Sequence, residues 1–312
     1  MKFTIQLCFL SVFSLTPAEL LADTSADGMI LIPATSATIG SNKIDTNGLS
    51  KRYGSKQEFF TNEHPQHTRH LNSYYIDRHE VSNKDYLEYI KATGKDVPRH
   101  WISNGYALSL NKETIDTLNR QKLLEIFSDH ITTLQNNNAL SKTDILKTIN
   151  SYWKNLNSLP VENISWHQAN TYCESAGKRL PSEAEWEHAA GGNQHFEFPW
   201  GNEWQAGWSN TLEEDWPYNT APVGSYKTDR SPYGIYDLAG NVQEWVNDWY
   251  QAYAGSKNND PDYGHTHRIV RGGGYGSIGH YALPIFSRSS YRSHLRPDTT
   301  QAGIGFRCAK DK

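Results

Sequence analysis

The feature that most constrains this chain is its supply of large, flat side chains: ten Trp and eighteen Tyr residues stand beside only two Met. Tyr and Trp bury much apolar area but keep a polar atom that needs a hydrogen-bond partner. Gly, Asn and Asp, the residues of tight turns, are frequent between them. The 312 residues are therefore expected to form one large or two small loop-rich domains, held together by aromatic packing and polar turns.

The N-terminal segment is expected to be a signal peptide, residues 1–22. Lys2 supplies a short positive region, and the apolar run that follows, Phe3–Leu15, is too short to span a bilayer. Cleavage after Ala18 or Ala22 would leave a mature chain that is periplasmic or secreted. A buried first strand and an uncleaved anchor are the alternatives. Later apolar runs are strand-sized, so no further membrane span is expected.

The charge balance argues against one class of partner. The net charge is -4, and Lys and Arg form no cluster that would follow a nucleic-acid backbone. We therefore expect no nucleic-acid partner.

Two cysteines remain once the signal peptide is removed, Cys173 and Cys308. In an oxidising compartment such a lone pair predicts a disulfide. The alternative is a pair of free thiols in a metal or redox site, although their separation along the chain matches no compact metal motif.

Three helix starts are visible outside residues 107–156. Ser82 or Asn83 can cap a helix, and Ser165 and Ser182 are each followed three residues later by Gln or Glu, the pattern of a capping box. These serines accept a hydrogen bond from the first helical turn, which otherwise leaves its backbone N–H groups unpaired.

Residues 107–156 differ in character from the rest of the chain. Apolar residues recur there at helical spacing, and Ser141 with Asp144 forms an approximate capping box. The segment contains few aromatic residues. We expect a helical insertion on a loop-rich body, suited to face a partner; an ordinary helical hairpin of the core is the alternative.

Six motifs carry a family resemblance. In chain order they read GKRLPSEAEWEHAA from Gly177, FPWGNE from Phe198, APVG from Ala221, YGIYDLAGNVQEWVNDWY from Tyr233, RGGGY from Arg271 and GFRCA from Gly305. This series resembles the formylglycine-generating-enzyme, or sulfatase-modifying-factor, family over residues 28–310, apart from the insertion. The family also includes proteins of pyoverdine maturation and accessory proteins of nitrite reductases. The resemblance implies an irregular α+β fold, similar to C-type lectins, with little regular secondary structure.

The resemblance also implies structural sites. Cys173 and Cys308 match the positions of a disulfide in the family. Calcium, which takes six to eight oxygen ligands including backbone carbonyls, is implied as a structural cofactor at two places. The first would use the side chains of Asn210 and Asp215 with the carbonyls of Thr211 and Pro217; the second would use Asn241 and Glu244 with carbonyls near Gly240 and Val242. The alternative is that these polar residues only cap turns.

The sequence departs from the family at the reactive centre. The family's oxidase carries two cysteines shortly after its Gly-Gly-Ser-Tyr segment, and they bind copper(I), which prefers thiolate ligands. Here Ser277 stands at the first position and Ala282 lies near the second. Conversion of a substrate cysteine to formylglycine by the copper route is therefore not expected. The candidate catalytic residues of the same cleft are Ser277, His280, Tyr281 and Arg288, with Tyr291 and Arg292 beside them.

Two functions remain compatible with these features. The first is an exported protein that modifies or matures a periplasmic peptide or protein partner; as an enzyme it would be a metal-dependent oxidoreductase, with a redox metal that the sequence does not identify. The alternative is a non-catalytic, calcium-stabilised binding or accessory protein.

Overall fold

The computed structural model describes residues 28–55, 58–135, 139–211, 219–275 and 284–312. The expected signal peptide, 1–22, lies outside these residues. Within them, every helix is too short or too polar to cross a membrane.

Helices and strands are both short. The α-helices of the described residues are α1 (Leu49–Arg52), α2 (Asn83–Thr93), α3 (Arg99–Ser103), α4 (Lys112–Thr117), α5 (Arg120–Phe127), α6 (Lys142–Asn157), α7 (Trp166–Ser175) and α8 (Glu183–Gly191). Short 3₁₀ helices occur at Thr61–Glu63, Tyr106–Asn111, Thr132–Leu134 and Pro284–Phe286. The strands are β1 (Ile30–Ile32), β2 (Thr35–Ile39), β3 (His67–Leu71), β4 (Tyr74–Ile76), β5 (Gln243–Trp249), β6 (Arg268–Arg271), β7 (Arg292–Leu295), β8 (Ile304–Phe306) and β9 (Ala309–Asp311).

The strands form three small sheets. Their orders are β1-β4-β9, β2-β3 and β7-β6-β5-β8. All neighbouring strands are antiparallel except β5 and β8, which are parallel. The α+β prediction is confirmed, because helices and short sheets share one irregular body.

The three predicted helix starts are confirmed. Ser82, Ser165 and Ser182 each accept a hydrogen bond from the backbone N–H of the third helical residue, and each forms a complete capping box. Capping depends only on neighbouring residues, which is why the sequence revealed it.

The segment 107–156 contains α4, α5 and most of α6. Ile145, Ile149 and Trp153 of α6 are buried in one apolar cluster with Leu87 and Ile90 of α2. The segment therefore shares its core with the rest of the chain. Its expected role in facing a partner stays a prediction.

A disulfide joins α7 to the C-terminal end of the chain. Cys173 and Cys308 are bonded, their Cα atoms lie 5.7 Å apart, and both side chains are fully buried. Cys308 immediately precedes β9, which pairs with β4. The bond thus links the α7 helix to the N-terminal sheet.

Candidate functional site

The glycine run after β6 brings the chain close to another backbone segment. A Cβ atom on Gly273 would lie 2.3 Å from the carbonyl oxygen of Ala239, so no side chain fits there. The run ends at Tyr275, whose hydroxyl donates to Glu162 at 3.1 Å. The backbone N–H of Gly303 donates to the same carboxylate at 2.6 Å. Burial raises the pKa of Glu162.

Three of the four predicted catalytic residues follow this run. Ser277, His280 and Tyr281 lie outside the described residues, as does Ala282. Their roles stay predictions. The described chain resumes at Pro284.

A cavity of about 450 Å³ opens beside the 3₁₀ turn Pro284–Phe286 and strand β7. Aromatic rings form much of its wall. Phe286 makes edge-to-face contacts with Phe59, at 5.7 Å between ring centroids, and with Tyr291, at 5.2 Å. Asn62, Glu63, Arg292 and His294 contribute polar groups to the same wall. The cavity thus combines apolar contact area with a few polar groups, the usual composition of a ligand site.

The fourth predicted catalytic residue, Arg288, is buried behind this cavity. Its two terminal nitrogens donate to the two carboxylate oxygens of Glu63 at 2.7 and 2.8 Å. It also donates to Glu197 and, at 2.6 Å, to the hydroxyl of Ser290. Burial lowers the pKa of Arg288, but the adjacent carboxylates outweigh burial and raise it. In this arrangement Arg288 anchors the wall as a permanent cation, and a direct catalytic role stays a prediction.

A second set of ion pairs fixes the wall from the side of α8. Glu183 and Glu187 lie one turn apart on this helix, so their side chains share a face. Glu183 accepts from Arg292 at 2.6 Å and from Arg271 at 3.0 Å. Glu187 accepts from Arg271 at 2.7 Å. Because Arg292 also donates to the carbonyl of Asn62 at 2.6 Å, α8 holds the cavity wall in place. Sequence reasoning selected Arg292 but missed both glutamates.

The first expected calcium set is only partly described. Asp215 and Pro217 lie outside the described residues. The side-chain oxygens of Asn210 and Thr211 are buried without a hydrogen-bond partner among the described residues. Buried polar atoms are normally paired, and oxygens without a donor are the groups that calcium binds. The side chain of Asn210 therefore fits the ion as predicted, whereas the atom of Thr211 that fits is its hydroxyl and not the expected carbonyl.

In the second expected calcium set, the side-chain oxygens already accept hydrogen bonds from other groups of the protein. This set consists of Gly240, Asn241, Val242 and Glu244. Glu244 accepts from Arg307 at 2.6 and 2.7 Å and from the indole of Trp186 at 2.8 Å. The side-chain oxygen of Asn241 accepts from the backbone of Ala221 at 2.8 Å. The side chains of this set do not fit an ion in the present arrangement. Calcium here stays a prediction that would require Glu244 to exchange its donors for the ion.

Buried carboxylates nonetheless surround this second set. Burial raises the pKa of Asp229 to about 6, and burial together with Asp229 raises that of Asp237 to about 7. Burial, Asp237 and Glu244 also raise the pKa of Glu80. The guanidinium of Arg307 lowers the pKa of all three carboxyls but does not offset burial. The cation beside these acids is the guanidinium of Arg307, which pairs with Glu244 at 2.6 Å.

Comparison with known proteins gives the family. The profile described as the sulfatase-modifying factor enzyme 1-like domain matches residues 16–312. The chain belongs to this family. It is 33% identical over 272 residues to the formylglycine-generating enzyme of Streptomyces coelicolor, covering 80% of this chain and 82% of that protein. It is 36% identical over 165 residues to the inactive C-alpha-formylglycine-generating enzyme 2 of Bos taurus, covering 48% of this chain and 50% of that protein.

The fold of the sulfatase-modifying-factor family is also found among solved structures. The structure of PvdO from Pseudomonas aeruginosa superimposes with a TM-score of 0.58 at 22% identity, covering 91% of this chain and 94% of that chain. At this identity the likeness establishes the fold alone. The resemblance expected from the six motifs is therefore confirmed for family and fold.

This member of the family has few cysteines that could bind copper(I). The sequence contains three, Cys8, Cys173 and Cys308, and the last two are joined in the disulfide. No pair of cysteines is left for a copper(I) centre in the cleft. The aromatic cavity wall, by contrast, could not be recognised from the sequence, because Phe59 and Phe286 are more than two hundred positions apart.

Proposed function

We propose that this chain is an exported protein that binds a peptide segment of a periplasmic peptide or protein partner in the aromatic cavity and modifies or matures that partner without cysteine-based copper chemistry. The observation that carries the proposal is the cavity itself. It adjoins Pro284–Phe286, the first described residues after the segment in which the family's oxidase has its cysteines.

The chemistry of the wall supports a peptide ligand. Phe59, Phe286 and Tyr291 offer ring faces and edges to an apolar or aromatic side chain. The side-chain amide of Asn62, which also lines the cavity, donates to the hydroxyl of Tyr250 at 3.2 Å and to the carbonyl of Arg292 at 3.1 Å. Its oxygen can then accept a hydrogen bond from the N–H of a peptide backbone. The buried ion pairs of Arg292 keep this wall rigid, which lowers the entropy lost on binding.

Structural calcium is part of this proposal. The side-chain oxygens of Asn210 and Thr211 support it, because they are buried and have no hydrogen-bond partner within the described part of the chain. The lectin-like character implied by the family resemblance is compatible with a calcium-stabilised loop region. The sequence does not identify a redox metal for the modifying step.

A non-catalytic accessory role is the second candidate. It is favoured by the state of Glu63, Arg288 and Arg292, whose charges are already satisfied by one another or by Glu183. Side chains that are bound to one another in this way hold the wall in shape and leave fewer groups to act on a ligand. The inactive relative of Bos taurus, similar over about half of this chain, supports the same alternative.

A peptide-selection experiment tests the binding. The purified chain is used to select from a displayed peptide library, and enriched sequences are resynthesised for affinity measurement. We expect aromatic or large apolar residues in the enriched peptides, and at least a tenfold weaker affinity for Phe59→Ala and Phe286→Ala. Trp208→Ala removes an exposed aromatic ring elsewhere and should bind like the wild type. Equal affinity of all four proteins would contradict the proposed site.

A second measurement separates modification from binding. The chain is stripped of metal, resupplied with iron or copper, and incubated in air with a selected peptide while oxygen uptake and peptide mass are followed. Oxygen consumption with a changed peptide mass would support the modifying role. Binding without either change would favour the accessory role.

A further inference from the structure

A cluster of three metal-ligating side chains lies at the edge of the aromatic cavity. Asp260 and Asp262 come from the loop between β5 and β6, and His294 comes from β7. One donor atom from each lies within 4.8 Å of the other two. The imidazole Nε2 of His294 is 3.2 Å from a carboxylate oxygen of Asp262. None of these residues belongs to either expected calcium set.

Neighbouring groups hold two of the three side chains in place, those of Asp260 and His294. The hydroxyl of Tyr250 donates to Asp260 at 2.9 Å, and the backbone N–H of Asp262 donates to the other oxygen of Asp260 at 3.0 Å. The ring of Tyr250 stacks on His294, with 3.9 Å between centroids and 12° between planes. Tyr250 thus orients one carboxylate and the imidazole together, as residues behind metal ligands commonly do.

The accessibility of the cluster suits an exchangeable ion. Asp260 is 4% exposed, whereas the side chain of Asp262 is 47% exposed. His294 also lines the cavity. A second imidazole, that of His267, lies 3.9 Å from Asp262.

We propose that Asp260, Asp262 and His294 form a binding site for a divalent transition-metal ion at the edge of the cavity. One imidazole nitrogen with two carboxylates suits ions such as Zn²⁺ and Mn²⁺, whereas calcium prefers oxygen ligands alone. The site stands on these contacts and not on the proposed peptide function, so metal binding is measured without any partner.

A metal titration tests the proposal. The full mature chain is treated with a chelator, placed in buffer with excess calcium so that oxygen-only sites are filled, and titrated with Zn²⁺ by calorimetry and with Mn²⁺ by electron paramagnetic resonance. We expect one ion to bind per chain. His294→Gln and Asp262→Asn should each weaken binding at least tenfold, because each removes one ligand.

Two further variants complete the design. His167 forms an exposed pair with Asp298 at 3.4 Å, so His167→Gln removes a comparable imidazole–carboxylate pair and should leave binding unchanged. Tyr250→Phe keeps the ring but loses the bond to Asp260, and should weaken binding several-fold without changing the stoichiometry.

Several outcomes would overturn the site. One is a His294→Gln protein that binds Zn²⁺ as tightly as the wild type, which would show that the imidazole is not a ligand. Another is a wild-type chain that binds neither Zn²⁺ nor Mn²⁺ in the calcium-containing buffer. If His294→Gln fails to fold, the Zn²⁺ affinity of Asp262→Asn is the test, because Asp262 lies on the exposed side of the cluster. Unchanged Zn²⁺ affinity in that variant would refute the proposal.

Discussion

Glu183 neutralises two buried guanidinium groups, those of Arg271 and Arg292. Removing its charge takes away the carboxylate that pairs with Arg292 and leaves Arg271 with Glu187. A buried cation without its counter-charge costs more than the pair itself contributes. We expect Glu183→Gln to lower the free energy of unfolding by about 3 kcal/mol in urea denaturation. The control is the exposed Glu88, which pairs with Lys84 at 3.9 Å. Glu88→Gln should change the free energy of unfolding by less than about 0.5 kcal/mol.

His188 should make the fold sensitive to mild acid. Burial lowers its pKa to about 4, and Tyr233 lies 2.8 Å from its Nε2. Between pH 6.5 and 4 the unfolded state therefore binds more protons than the folded state, and stability falls as the pH falls. Because of this residue, we expect the free energy of unfolding of the wild type to fall by about 1–2 kcal/mol between pH 7 and pH 5. In urea denaturation at the two pH values, the free energy of unfolding of His188→Gln should fall less than that of the wild type, by the same amount. Identical pH profiles of the two proteins would contradict this role of His188.

Helix α6 shows what an element contributes. Its apolar residues recur at helical spacing, and Ile145 and Ile149 are fully buried in the cluster shared with α2. We expect Ile149→Ala to lower the free energy of unfolding by about 2–4 kcal/mol, because a cavity replaces the side chain. Lys147→Ala, on the exposed side, should change it by less than about 0.5 kcal/mol. A small effect of Ile149→Ala would mean that the segment 107–156 is a loosely attached appendage.

The turn after β6 gives a paired test of close packing. A methyl group on Gly273 would lie 2.3 Å from the carbonyl oxygen of Ala239, whereas one on Gly274 would meet its nearest atoms at 3.5 Å. We expect Gly273→Ala to destabilise the fold by about 2 kcal/mol or more and Gly274→Ala by less than about 1 kcal/mol. Thermal unfolding of the two variants measures the difference, and equal midpoints would show that the segment shifts to make room.

At the scale of the whole molecule, the disulfide restricts the unfolded chain. It spans 135 residues, and closing a loop of that length removes up to about 5 kcal/mol of conformational freedom from the unfolded state. The double variant Cys173→Ala/Cys308→Ala should therefore unfold at lower urea concentration than the oxidised wild type. Reduced wild type should resemble the double variant. An unchanged midpoint under reducing conditions would contradict a stabilising role.

The helix starts and the fold class could be predicted because they depend on short-range patterns. Ser82, Ser165 and Ser182 each meet a partner three residues away, so capping is visible along the chain. The family followed from six ordered motifs, and the loss of the thiol pair followed from reading Ser277 and Ala282 in the same segment. These conclusions require no knowledge of which distant residues meet.

The composition of the site was decided by the tertiary structure. Arg288 and Arg292 were selected from the sequence, but their partners Glu63 and Glu183 are 225 and 109 residues away, so the sequence alone could not show that both charges are already satisfied. The aromatic cavity and the cluster around His294 arise in the same way. The sequence by itself established the family, the helix caps and the missing thiols, because these are local properties. Which charges are neutralised and which donor atoms converge depends on packing between distant segments, and only the folded chain determines that.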